Sequence, residues 1–311
     1  VLMETRKLVK TGADTYTVSI PKKWIKANNL KKGDLIFLKP NKNCLELSTT
    51  ENVDREEVKE ISFNVDKKNI NYLRRATISA YINNYNVFRF HGTELNEKLD
   101  DIRKILQNFL ALEVTEQTNS CLVARDYLNL NEFSIANTLR RMDMIARSMI
   151  IDLKNDDLTT LKSLEFRDYE VDKLYFLVSR LIRSILENPN NPHKLSSVET
   201  ISVWWMAKNL ENVADFVKKI AKEIDSKKKK TKQLQDTFLK IEEYYLKTMK
   251  AYFTNNKELA NTIMGERDEI NEMIINNKNT PESTIHMVQM VDHIRNIAKI
   301  MLDSVEDKNK K

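Results

Sequence analysis

The chain has 311 residues, a formal net charge of +6, and 41% hydrophobic against 31% charged residues, enough length for two or three domains with a sizeable core. Only 4 glycines and 5 prolines suit long helices, and no window reaches the apolar length of a membrane span. No charged-then-apolar signal segment opens the sequence, so the expected location is the cytoplasm.

Cys44 and Cys121 match no ligand spacing and read as reduced, structural thiols. The charge is unevenly placed. Residues 1–50 hold ten Lys or Arg against four Asp or Glu, and the remainder holds 41 of each sign. All the excess positive charge therefore lies in the first fifty residues.

Residues 4–10 are a short strand candidate, followed by the turn signal Thr11-Gly12-Ala13-Asp14. Residues 15–20 alternate and are rich in β-branched side chains, which predicts a second strand. Pro21 opens a short helix, PKKWIKANN, at a position where a missing N–H costs little. A tight turn at Leu30-Lys31-Lys32-Gly33-Asp34 leads into a hairpin of residues 35–38 and 45–47 around Pro40-Asn41-Lys42-Asn43. Four short strands and one short helix bury little surface alone, so dimerisation is expected.

The run GADTYTVSIPKKWIKANNLKKGDLIFL resembles the AbrB/MazE/SpoVT swapped-hairpin DNA-binding domain. The shared features are Ser-Ile-Pro-Lys, the short helix, and Leu-Lys-Lys-Gly-Asp before the next strand. The resemblance covers most of residues 3–48 and implies an intertwined dimeric β-barrel. By position it makes Arg6, Lys7, Lys10, Lys22, Lys23 and Lys26 candidate contacts to double-stranded DNA. Such contacts go mainly to phosphates and weaken steeply with salt. The alternative is that these cations form an ordinary solvated face and the barrel only dimerises the protein.

In the middle region, residues 60–65 alternate as a strand, and 70–84 form a helix with Leu73, Ala76, Thr77 and Ala80 on one face. Residues 85–90 read as a strand. Residues 95–109 form an amphipathic helix through Leu99, Ile102, Ile105, Leu106 and Phe109. Residues 113–118 and 121–126 pair around Asn119-Ser120. This order predicts a small α+β module over 51–130 serving as connector or dimerisation domain. Arg74, Arg75 and Arg89 read as surface or ion-paired residues.

From Ser134, an N-cap, the sequence is helical over 134–153, 161–186, 198–225, 234–254, 258–277 and 281–305. Asn188-Pro189-Asn190-Asn191-Pro192 and Asn277-Lys278-Asn279-Thr280-Pro281 break the run, and Ser196 or Ser197 caps the third helix. Lys227 to Lys230 solvate that helix's end. Three long helices followed by three more predict an internal duplication. In the third helix Val203, Ala207, Leu210, Ala214, Val217, Ala221 and Ile224 form an apolar seam, widened by Met206, Val213 and Ile220. Trp204, Trp205 and the methionines read as packing.

Two of these helices carry acid pairs at i, i+4: Asp168/Asp172 and Glu211/Asp215. Each pair shares a helix face and repels itself, and a bound cation reverses that. Four carboxylates on adjoining faces would be a hard-oxygen site for a divalent or trivalent metal.

RDYEVDKLYFL followed by AKNLENVADFVKKIA is similar to the PhoU family, including its archaeal branch. The resemblance covers residues 134–307. It implies a mainly α, multidomain protein ending in a PhoU-like pair of three-helix bundles over 131–311. It also implies an iron or zinc cluster on the acid motifs, and negative regulation of phosphate uptake. The second half departs from the pattern. Arg267 and Asn271 stand where Asp168 and Asp172 align, and Asn296 replaces an acid. Asp268, Asp292 or His293 could offer a single ligand, although a lone His is more often a surface residue.

The expected protein is a homodimeric or larger DNA-binding regulator of phosphate homeostasis. A different reading is a PhoU-type adaptor that docks on a phosphate transporter or sensor without binding DNA. A carboxylate-bridged metalloenzyme fits worst, since no His lies near either first-half motif and no catalytic motif is present.

Overall fold

The computed structural model describes residues 4–41, 44–49, 58–154, 160–187, 193, 195–227, 232–277 and 281–303. The chain separates into two compact units, residues 1–57 and 58–311.

In the first unit, β1 (Val9–Lys10) pairs antiparallel with β2 (Tyr16–Thr17), and β3 (Phe37–Asn41) with β4 (Cys44–Ser48). Between them lies α1 (Lys22–Ala27), with Pro21 as its N-cap. The β1–β2 ladder is far shorter than the alternation at 4–10 and 15–20 predicts. The strands form two separate two-stranded sheets, so the described residues of one chain close no barrel. No described side chain of this unit is buried. Pro40 and Asn41 belong to β3, while Lys42, Asn43 and the Cys44 side chain lie outside the described part. Gly33, at φ 99°, supplies the left-handed turn before β3 that a side chain would resist.

The second unit opens with β5 (Glu60–Asn64), α2 (Ile70–Ile82), β6 (Val87–His91), α3 (Leu95–Leu106), β7 (Leu112–Gln117) and β8 (Cys121–Asp126). They form a mixed sheet of order β5-β6-β8-β7, in which β5 and β6 are parallel and the rest antiparallel. Leu73, Thr77 and Ala80 of α2 and Ile102, Ile105 and Leu106 of α3 are buried, as their spacing predicts. Phe63, Phe88, Phe90 and Leu122 meet them from the sheet. Arg89 pairs with Glu60, and Arg74 and Arg75 are exposed.

The helices follow: α4 (Ile135–Lys154), α5 (Thr160–Glu187), α6 (Ser197–Lys227), α7 (Lys232–Thr254), α8 (Lys257–Asn276) and α9 (Pro281–Asp303). Ser134 caps α4 by accepting from the Asn137 N–H. Ser196 caps α6 in a reciprocal box with Glu199. Residues 188–192 and 278–280, and the basic run 228–230, lie outside the described part.

Helices α4, α5 and α6 pack on one another, as do α7, α8 and α9, and α6–α9 and α4–α7 contacts join the two groups. One hydrophobic core runs through all six. The seam of α6 lies in it: Ala207, Leu210, Ala214 and Val217 are buried, as are Met206, Val213 and Ile220. Trp204 departs from the packing expectation, being 45% exposed, whereas Trp205 packs on the core.

The expected middle and helical segments, 51–130 and 131–311, meet inside this unit. Arg180 of α5 is 1% exposed and inserts toward the sheet. Its guanidinium donates to Asp126 at 2.5 Å and Asn84 at 3.1 Å and lies over the Tyr81 ring. Arg183 donates to Asn83 one turn on, and Phe176 packs against Phe109.

Candidate cation site and basic head

The two acid motifs come from neighbouring helices. Asp168 and Asp172 lie on α5, Glu211 and Asp215 on α6, and these helices pack together because both carry apolar stripes at helical spacing. The acids feel one another. Burial holds the Asp172 carboxyl up at about 7, with the Asp168, Glu211 and Asp215 charges adding and Lys218 opposing. Burial likewise raises Asp168 and Glu211 above their ordinary range, with Lys218 and Lys208 respectively opposing.

The sequence pattern does not single out what occupies the centre. Lys218 reaches from α6 across to Asp168 and also pairs with Asp215 at 3.0 Å. Lys219 holds the second Asp215 oxygen at 2.6 Å, and Lys208 holds Glu211 at 2.6 Å. Burial pushes Asp215 up, but Lys219 and Lys218 outweigh it and leave its carboxyl below the usual range. Burial pulls the Lys218 ammonium down, and Asp168 and Asp215 more than restore it, so it stays protonated. Asp172 makes no ion pair among the described residues. In this arrangement the cation of the quartet is an ammonium.

The donor set is right for a hard metal ion, but the placement is not. Among the described residues no group of three or more His, Cys, Asp or Glu is positioned to hold a metal. Of the four candidate ligands, Asp168, Glu211 and Asp215 are engaged by lysines instead.

In the second half, Arg267 donates to Asp292 at 2.7 Å and to Asp268 at 2.9 Å, placing a fixed cation where the first half has Asp168. His293 is not the surface residue its isolation suggests. It is half-buried, its Nδ1 lies 2.9 Å from the side-chain Oδ1 of Asn209, and its ring stacks on Phe216. Burial lowers its pKa and favours the neutral ring. Asn296 donates to the same Asn209 oxygen. These polar residues join α6 to α9 in a hydrogen-bonded seam.

The basic candidates of the first unit are all exposed. Lys22, Lys23 and Lys26 lie on α1, Lys10 ends β1, and Arg6 and Lys7 precede it. Arg6 pairs with Glu4 at 2.5 Å. Lys7, Lys10, Lys22, Lys23 and Lys26 make no ion pair among the described residues.

These features define a two-part chain: an exposed basic β-rich head and a helical body with a lysine-bridged acid quartet. Known families match both parts. Residues 9–43 match the MazE antitoxin family of antidote–toxin recognition proteins, and residues 134–224 match the PhoU domain. The chain thus carries a MazE/AbrB-like domain at its N-terminus and a PhoU domain spanning α4 to α6. The crystal structure of PhoU from Pseudomonas aeruginosa is similar at 12% identity, with a TM-score of 0.45 over 54% of this chain and 93% of that one. No curated protein matches. Among the described residues no helix is long and apolar enough to cross a membrane.

Proposed function

We propose that the protein is a cytoplasmic, DNA-binding regulator of phosphate homeostasis rather than an enzyme. One observation carries this reading. A PhoU domain and a MazE/AbrB-like domain stand in one chain, and the excess positive charge of the sequence lies in its first fifty residues, which hold the second of these. Two copies close the head into the swapped barrel, because one copy leaves its apolar side chains uncovered. The paired heads then present Arg6, Lys7, Lys10, Lys22, Lys23 and Lys26 to the phosphates of duplex DNA.

The body regulates the head through α5. That helix carries Asp168 and Asp172 in its first half and Arg180 about two turns further along, where the guanidinium is locked to Asp126 of the sheet. A change in the charge balance of the quartet favours one arrangement of α5 over another, and the sheet follows. Iron or zinc would have to displace Lys218, and the residues as placed do not fit one, so this reading needs no metal. The adaptor alternative, docking on a phosphate transporter or sensor, uses the same body and leaves the lysines idle.

A gel-shift titration against salt separates the two. DNA binding that falls steeply with salt, and falls further in Lys22→Ala/Lys23→Ala, supports the regulator. A flat response unchanged by the substitutions removes it. Sequencing the DNA that co-purifies under plentiful and scarce phosphate identifies the target.

A further inference from the structure

The mixed sheet has two edges, and they are unlike. At β7 the ladder is broken by a bulge between Val114 and Glu116, and exposed Glu113 and Glu116 blunt the edge. That is how an edge left to solvent is kept from pairing. β5 has no bulge and no proline, and its one charged residue, Glu60, is held by Arg89 of β6 at 2.9 Å. Among the described residues no strand covers it.

The backbone of β5 shows what it offers. Lys59 accepts from the Val87 N–H, and Val65 donates to the His91 carbonyl. Odd-numbered residues thus bond to β6, and the N–H and C=O groups of Glu60, Ser62 and Asn64 point outward. Beside this edge lies a groove of about 720 Å³ between β5 and α2, lined by Ile61, Phe63, Tyr72 and Ala76 among others.

We infer that β5 pairs antiparallel with β5 of a second copy of this chain, about a two-fold axis at Ser62. Within β5, an axis at any residue from 60 to 64 matches outward groups with outward groups, but centring on Ile61 leaves Asn64 opposite Val58, outside the strand, and centring on Phe63 leaves Glu60 opposite Asp66, also outside it. Centring on Glu60 sets two carboxylates face to face, which is repulsive. Centring on Asn64 leaves Glu60 without a partner. Centring on Ser62 sets Glu60 opposite Asn64 twice and makes every outward group of the strand bond. It also sets Ile61 opposite Phe63 on the face that α2 covers, so apolar meets apolar. Such a contact is the same patch on both copies, as a two-fold requires.

The second copy is supplied by the head, and in this the inference rests on the dimer proposed above. The unit of residues 1–57 buries no described side chain and leaves Leu8, Tyr16, Leu35 and Leu38 more than half exposed. The second unit begins at Val58, two residues before β5. β4 ends at Ser48 and β5 begins at Glu60, so joining two heads tethers two β5 strands through eleven residues each and raises their local concentration. An extended peptide from another protein is the competing occupant.

Hydrogen exchange on the full chain, read at single residues, tests the pairing alongside sedimentation. The Ser62 amide should exchange about as slowly as that of Phe63, and on the order of 100-fold slower than in an unpaired strand. Ser62→Pro removes only an outward donor, so it should release Glu60 and Asn64 while Ile61 and Phe63 stay protected. As a second variant, Ser62→Cys in a Cys44→Ser/Cys121→Ser background should cross-link between copies with a short bismaleimide, and Thr115→Cys on β7 should not. A dimer whose Ser62 amide exchanges freely overturns the pairing and leaves the dimeric head standing. A dimer that Ser62→Pro converts to monomer upholds the pairing and overturns the head as the seat of dimerisation. A monomer with a protected Ser62 amide overturns the pairing in favour of another occupant.

Discussion

Asp172→Asn removes one charge from the acid quartet and keeps its shape. Burial and the neighbouring acids hold the Asp172 carboxyl at about 7, against an ordinary 3.8. Between those values the folded chain keeps a proton that the unfolded chain has lost. The stability this proton confers is complete below pH 3.8 and is lost as pH rises through about 7. At about 1.4 kcal/mol per pH unit, ionising Asp172 costs the fold roughly 4 kcal/mol at pH 8 and roughly 1.5 kcal/mol at pH 5. Asparagine does not titrate. The variant should therefore exceed wild type by those amounts, a difference of about 3 kcal/mol between the two pH values. Urea unfolding followed by helical circular dichroism at pH 5 and pH 8, with a chelator present, measures it. An equal effect at both pH values would refute the reasoning. Without chelator the sign carries further information: a variant less stable than wild type at pH 8 would mean that a bound cation neutralises the quartet.

Other substitutions probe the remaining joints. Arg180→Ala strands the Asp126 carboxylate in a site where both side chains are at most 2% exposed. It should cost about 3–5 kcal/mol in urea unfolding, and the double change Arg180→Met/Asp126→Leu should recover most of that. Gly92 has φ +144°, and a Cβ there would lie 2.5 Å from Asp66 Oδ1. Gly92→Ala should therefore cost about 1–3 kcal/mol by the same measurement, and a neutral result would show that the turn can relax. In the head, Lys22→Ala/Lys23→Ala should lower the slope of log affinity against log salt by about 0.9 for each DNA phosphate that the variant no longer neutralises. An unchanged slope would take both residues out of the DNA interface.

The long helices were legible because a stripe that recurs every three or four residues over twenty positions has only one way to be buried. α2, α3 and their sheet were legible for a related reason: strand alternation and helix spacing switch cleanly at Asn69 and Glu94, which precede α2 and α3. The head was less legible. Alternation at 4–10 and 15–20 reports that a segment suits a pleat, but a ladder needs a partner strand, and within one chain only Val9–Lys10 and Tyr16–Thr17 find each other. Trp204 was misread because apolar character is not burial. It stands beside the α6 seam, among exposed Ile201 and Leu186.

The acid quartet shows a different limit of sequence reading. Spacing of four shows which carboxylates share a face of one helix, so Asp168/Asp172 and Glu211/Asp215 could be paired from sequence. It does not show which lysine crosses between helices. Lys218 follows Asp215 by three residues and looks like a local partner, yet its deeper engagement is with Asp168 of α5, a residue 3% exposed. That crossing changes the physical meaning of the motif. Four acids alone would repel one another across the helix pair, whereas Lys218 bridges Asp168 to Asp215, Lys219 and Lys208 hold Asp215 and Glu211, and Asp172 is left without an ion-pair partner among the described residues. The helix that bears this residual charge is the one that Arg180 fastens to the sheet.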